Sequence, residues 1–332
     1  MSLTKTLTAT AGATLLIFSL PAQSAQVPGP LVDPQWLADN LDDVVVLQTT
    51  ASADAFTMPP EYYTDEETGQ TFVTRVSGHI PGARFVDYGE KVRVDRDFDG
   101  ITVSSVVPPE DDWVELAQSL GVNADDAIII VSDGLSSGDV TSATRTYWTF
   151  KYFGHDNMAI LDGGLARWLD EGFDAETQPQ QVEMGDWDIV EVRDEMLAHK
   201  DDVKQASQQG DRQLIDGRTY QQFLGLSKSG SVELPGHIPN AKPYPIELYT
   251  RADGASAKFL PVASYQSLMQ ANGIDVDAAS ITYCNTGNVA SAPWFILHEL
   301  MGNTDVSLYD ASLHEYTMGG DVEMVDQAQV LD

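Results

Sequence analysis

Gly78-His79-Ile80-Pro81-Gly82-Ala83 recurs in the second half of the chain as Gly236-His237-Ile238-Pro239-Asn240-Ala241. A six-residue string repeated with one change marks an internal duplication, and a duplication decides the architecture before any single element is read. The repeat continues downstream. Leu161-Asp162-Gly163-Gly164 is echoed by Tyr309-Asp310-Ala311-Ser312, and helix-like segments end at Phe153-Gly154 and at Met301-Gly302. His79 to Asp162 spans 83 positions and His237 to Asp310 spans 73, so the first copy carries about ten extra residues, expected in loops.

Around these anchors each copy alternates short β-branched runs with helical patterns. Strands are expected over 44–48, 127–131 and 158–161 in the first copy, and over 213–216, 280–283 and 306–309 in the second. Helices are expected over 113–120, 142–153 and 165–171, and again over 261–272 and 290–301. Strand-helix alternation of this kind predicts an α/β fold of two similar domains, each a mostly parallel sheet with helices on both faces. The first domain is expected over 26–180 and the second over 211–332. A polar linker rich in Gln, Asp and Lys runs over roughly 181–210 between them.

The first 25 residues read as a secretory signal. Lys5 gives a positive start, residues 9–20 form an apolar run, and Pro21 with Ala22, Ser24 and Ala25 offers a cleavage site. The run is too short to span a bilayer comfortably. The protein is therefore expected to be periplasmic or otherwise exported, with no stable membrane association. Fifty-one acidic residues stand against eighteen basic ones, a formal net charge of −33 spread along the chain. Such a surface repels phosphate backbones and anionic headgroups, which disfavours nucleic-acid and membrane-surface roles. The acids at 95–99 lack the downstream Glu of a calcium loop, and no metal site is expected.

Cys284 is the only cysteine of 332 residues and cannot pair within the chain. It directly follows the apolar run Ile281-Thr282-Tyr283 and precedes the helix expected from Ala290. The turn between them is Asn285-Thr286-Gly287-Asn288-Val289. Ligand sites of parallel α/β sheets lie at such strand-to-helix turns. Gly287 and the two Asn residues tolerate left-handed angles, so the turn can curl with its N–H groups inward. Those amides and the positive end of the next helix would support a thiolate or the anionic end of a substrate. A phosphatase needs an Arg six residues after the cysteine to clamp phosphoryl oxygens, and that position is Ala290. His237 has a twin, His79, with no cysteine beside it, so both are expected to be structural and to bond backbone at the turn before Ile-Pro. His298 is expected on a helix face.

Taken together, these residues resemble the tandem-domain rhodanese family, which includes thiosulfate and 3-mercaptopyruvate sulfurtransferases. The likeness rests on the paired GHIPGA and GHIPNA motifs, the LDGG turn, Leu214-Ile215-Asp216-Gly217-Arg218 at the opening of the second domain, and the Cys284 loop. It implies a non-catalytic first copy, where Ser132-Asp133-Gly134 follows the strand, and a catalytic second copy. It further implies that Cys284 takes sulfur from a small anionic donor as a persulfide and passes it to a thiol or cyanide, with no cofactor. Residues 285–290, including Ala290, would form the substrate loop, while Asp216 and Arg218 would support it or the domain interface, or form a plain surface ion pair. Thiosulfate-specific members carry cations in the loop and an Arg where this chain has Gln222; mercaptopyruvate-type members have neutral loops with a small Gly-Ser pattern absent here. Thiosulfate leads nominally as donor, with Lys242 and Arg251 as substitute cations. The alternative to an enzyme is a non-catalytic sulfur or thiol carrier, or an interaction protein using the same loop.

Overall fold

The computed structural model describes residues 25–50, 52–98 and 100–331; the signal segment, apart from Ala25, lies outside them. In chain order the strands of the first half are β1 (Leu31–Val32), β2 (Val45–Thr49), β3 (Glu61–Thr64), β4 (Thr71–Arg75), β5 (Arg84–Phe85), β6 (Val94–Phe98), β7 (Ile101–Val106), β8 (Ile128–Ser132) and β9 (Met158–Leu161). Those of the second half are β10 (Leu197–Ala198), β11 (Gln213–Asp216), β12 (Lys242–Pro243), β13 (Thr250–Asp253), β14 (Ser256–Phe259), β15 (Ser280–Tyr283) and β16 (Val306–Tyr309). Five strands of each half form a sheet, in the orders β1-β9-β8-β2-β5 and β10-β16-β15-β11-β12. Every neighbouring pair in both sheets is parallel. The duplication in sequence is thus a duplication in strand order. Strands buried on both faces read as continuous apolar runs, which is why the central β8 and β15 carry Ile, Val, Thr and Tyr without alternation. The remaining strands pair as three antiparallel hairpins, β3/β4, β6/β7 and β13/β14.

The expected linker is a correction. Residues 181–193 cover the first domain: Gly185 N–H donates to Gln118, and Trp187, fully buried, donates its indole N–H to His155. From Leu197 the chain already belongs to the second sheet, because β10 pairs with β16. The helix Lys200–Gln209 then packs through Val203 and Ala206. Its remaining Lys, Asp and Gln residues form a solvated face, and it is this face that makes the segment look like a polar linker.

The helix Ser137–Tyr152 joins the halves. Ser136 caps it by accepting the Asp139 N–H, and Gly154 at φ 92° ends it. Nearly all of its length is buried, Thr141, Thr144 and Arg145 included, because one side lies on its own sheet and the other on the second domain. Across that contact Tyr147 meets Phe295 edge-on at 5.0 Å, and Thr144 bonds Ser291 at 2.7 Å. One apolar cluster therefore runs through both domains, from Trp113 and Trp148 to Tyr249 and Trp294. The helix expected over 290–301 is shorter than predicted: Ser291–Phe295 is α-helical and Ile296–Leu300 widens into a π turn.

Candidate active site

Cys284 ends the run of β15 at the carboxyl edge of the second sheet and is only 1% exposed. The loop after it is shaped by two residues. Gly287 sits at φ 74°, and a Cβ there would lie 2.2 Å from the Asp310 carbonyl oxygen, so no other residue fits. Ser312, itself left-handed at φ 50°, accepts the N–H groups of Cys284 at 3.0 Å and Gly287 at 3.1 Å on its hydroxyl. The same hydroxyl donates to the Tyr309 carbonyl at 2.7 Å. One side chain thereby fixes the head and the middle of the turn. The amides of Asn285, Thr286, Asn288, Val289 and Ala290 find no protein acceptor among the described residues. They are the donors available to a thiolate, a persulfide or an oxyanion. Asn285, Thr286, Asn288 and Val289 are half-buried, whereas Gly287 and Ala290 are buried.

Asp216 and Arg218 lie at the same edge, on the end of the neighbouring β11. They are not a surface pair: Arg218 is 2% exposed and Asp216 1% exposed. Arg218 grips both carboxylate oxygens, with Nη2 2.6 Å from Oδ2 and Nε 2.9 Å from Oδ1, and Nη2 also donates to the Gly236 carbonyl at 2.7 Å. Burial works against the guanidinium's charge, but Asp216 outweighs it and holds the Arg218 pKa above its ordinary value. The pair ties the strand beside Cys284 to the repeated GHIPNA turn. In that turn His237 stacks on Phe223 at 3.7 Å and donates from Nδ1 to its carbonyl at 2.7 Å. His79 stacks on Phe56 at 4.2 Å, with Nδ1 3.0 Å from the Ile80 carbonyl. Both histidines have the structural place their repetition suggested. His298 stacks on Trp294 at 4.6 Å and bonds Glu299, away from the loop.

The substitute cations are elsewhere. Lys242 bonds Gln213 at the opposite, amino-terminal end of the sheet, and Arg251 pairs with Asp253 on an exposed hairpin. Gln222 does reach the loop, where its Oε1 accepts from Asn285 Nδ2 at 3.3 Å.

Sequence reading missed the contribution of the first domain. The turn Tyr88–Val92, with Arg93 directly after it, lies against the Cys284 loop, and the chain leaving the β6/β7 hairpin meets Asp310. Tyr88 donates to Asn288 Oδ1, and Arg93 Nη2 donates to Thr286 Oγ1 at 2.7 Å and to its carbonyl at 3.2 Å. Val107 N–H donates to Asp310 Oδ2 at 2.6 Å. Arg145, fully buried, forms an ion pair with Asp310 and donates to the Gly287 carbonyl at 3.3 Å. Burial pushes the Tyr88 hydroxyl up to about 12, with Arg93 and Arg145 pulling the other way. The duplicated Asp162 and Asp310 were the legible signal, because each accepts an N–H from the other domain, Phe259 for Asp162 and Val107 for Asp310. A cavity of about 420 Å³ opens beside the loop, lined by Thr49, Asp87, Tyr88, Asp133, Asp139 and Asn288.

Comparison with known proteins bears on both halves. A family model described as "Rhodanese-like domain" matches residues 33–171 and 199–318. The sulfur carrier protein TtuD of Thermus thermophilus is 27% identical, over 87% of this chain and 94% of its own. Thiosulfate/3-mercaptopyruvate sulfurtransferase 2 of Arabidopsis thaliana is 27% identical, over 89% of this chain and 86% of its own. Among solved structures, the 3-mercaptopyruvate sulfotransferase SseA of Escherichia coli superposes with a TM-score of 0.67 at 22% identity, covering 86% of this chain and 98% of that one.

Proposed function

Both halves of the chain belong to the rhodanese-like domain family, and from that premise we propose that the protein transfers sulfane sulfur from thiosulfate or 3-mercaptopyruvate to a thiophilic acceptor through a persulfide on Cys284. The observation that carries the reading is the sole cysteine standing at the head of a turn in which the amides of Asn285, Thr286, Asn288, Val289 and Ala290 find no protein acceptor among the described residues. The Cys284 thiolate attacks the outer sulfur of the donor. A new S–S bond forms as the donor's bond to that sulfur breaks, and the electron pair leaves with sulfite or with the enolate of pyruvate, which takes up a proton equivalent to the one the mercaptopyruvate sulfur loses as the persulfide ionises. An acceptor thiolate or cyanide then attacks the outer sulfur of the persulfide and returns Cys284 as thiolate. The exchange is balanced without an added oxidant or reductant. The loop amides stabilise the negative charge on the persulfide, while Ser312, Gly287 and the Asp216–Arg218 pair hold the loop in shape. The likeness to a sulfur carrier supports a second reading, in which the same persulfide forms once and is handed to a partner. Steady-state assays with cyanide separate them: an enzyme makes many equivalents of thiocyanate per chain, a carrier at most one, and Cys284→Ser none. Export rests on the signal-like residues 1–25, and detection of a shortened chain outside the cytoplasm tests it.

A further inference from the structure

The Cys284 loop carries no charged side chain of its own. Three guanidinium groups approach it, and they are not equivalent. Arg145 is fully buried against Asp310, and Arg218 is gripped by Asp216, so both charges are already neutralised by carboxylates. Arg93 is different. It is half-buried, it arrives from the first domain, and its partners at the loop are the hydroxyl and carbonyl of Thr286. Among the described residues no carboxylate pairs with it. Its Nε is buried and finds no acceptor, so the Nε–Nη2 edge, the edge that grips oxyanions with two parallel bonds, is only half used. It also touches Tyr88, whose hydroxyl lies within the electrostatic reach of Cys284.

We propose that Arg93 is the residue that seats the anionic head of the sulfur donor, so that the first domain supplies the charge the catalytic loop lacks. On a chain of net charge −33, an anionic ligand is repelled everywhere except where an unneutralised cation stands. Arg93 meets that need at Thr286, two positions along the loop from Cys284. In donor binding it exchanges its bonds to Thr286 for bonds to the sulfonate or carboxylate oxygens, and the loop amides take the sulfur end. The proposal deepens the sulfurtransferase reading and rests on it only in naming the anion a sulfur donor.

The test alkylates Cys284 in the full chain with iodoacetate and with iodoacetamide, follows intact mass, and runs persulfide formation from thiosulfate in parallel. Relative to a small free thiol, the wild type favours the anionic reagent. Arg93→Gln lowers the iodoacetate-to-iodoacetamide ratio on the order of tenfold and leaves the iodoacetamide rate within about twofold, as loss of one unscreened charge near the loop requires. Arg93→Lys keeps part of the preference. Gln222→Arg in the Arg93→Gln background restores it, because Gln222 contacts the adjacent loop residue Asn285. An unchanged ratio in Arg93→Gln overturns the proposal. So does an equal fall in both rates, which marks a role in loop shape alone, and so does failure of wild-type Cys284 to react with either reagent. If the ratio falls while thiosulfate leaves no sulfur on Cys284, Arg93 stands as the anion site and the sulfurtransferase reading fails instead.

Discussion

The two strand-to-helix turns share a backbone and differ in what their side chains do with it. Gly134 and Gly287 both sit at φ 74°, and a Cβ on either would strike a carbonyl of the turn after the next strand, Gly163 in one copy and Asp310 in the other. The residue two places after each turn's Asp is left-handed in both, Gly164 at φ 58° and Ser312 at φ 50°. In the first copy that residue is a glycine pressed on the strand, with the Ser132 carbonyl 2.4 Å from where its Cβ would be. In the second it is a serine whose hydroxyl gathers two loop amides. At the head of the turn, Ser132 stands in the first copy and Cys284 in the second. Duplication preserved the frame; what the second turn adds is a cysteine, a serine hydroxyl and contacts from Arg93 and Arg145 of the copy without a thiol, and the proposed chemistry draws on these. The first domain is therefore part of the site, not a spent repeat.

The largest expected difference between the two turns lies at Cys284. Cys284→Ser should lower turnover by several orders of magnitude, whereas Ser132→Cys with Cys284→Ser should restore none of it, since the first turn lacks the hydroxyl and the borrowed cations. Thiocyanate formation measures both; activity in the double variant would make the two turns equivalent. Next in size is the buried ion pair. Asp310→Ala strands Arg145 without its carboxylate and should cost about 3–5 kcal/mol in chemical denaturation, because an uncompensated buried charge remains. Ser312→Ala leaves the Cys284 and Gly287 amides without an acceptor, a penalty of about 1–3 kcal/mol per buried group that falls on the loop. Its turnover should fall more than its melting temperature, and Gly164→Ser in the first copy should do the reverse.

The smallest effect is a pH dependence. Burial lowers the His237 pKa, with the Phe223 carbonyl and Asp216 opposing. The folded state then binds fewer protons than the unfolded chain, whose histidines titrate near about 6.5. The stability this contributes is present above that value and is lost as pH falls through the folded value. Melting curves between neutral and mildly acid pH should show a shallower decline for His237→Gln than for the wild type.

How much of this was legible depended on range in sequence. The strands Met158–Leu161, Gln213–Asp216, Ser280–Tyr283 and Val306–Tyr309 match their expected bounds, because each is an apolar run closed by turn residues. The two-residue edge strands β1 and β10 carry too little pattern to be seen, and β10 hid behind the solvated helix that follows it. Cys284, its loop and Asp216–Arg218 were visible because they lie within one strand-to-helix unit or in a repeated motif. Tyr88, Arg93 and Arg145 were not, since nothing local to them announces a partner about 150 to 200 residues away. Buried Thr and Arg on the helix Ser137–Tyr152 make sense only once a second domain covers that face.

Intact-protein mass spectrometry of the purified chain after brief exposure to thiosulfate, and separately to 3-mercaptopyruvate, decides whether Cys284 takes up sulfur. The expected result is the gain of one sulfur atom with at least one donor, located on Cys284, absent from Cys284→Ser and removed by added cyanide. A wild-type chain that gains no sulfur from either donor would contradict it.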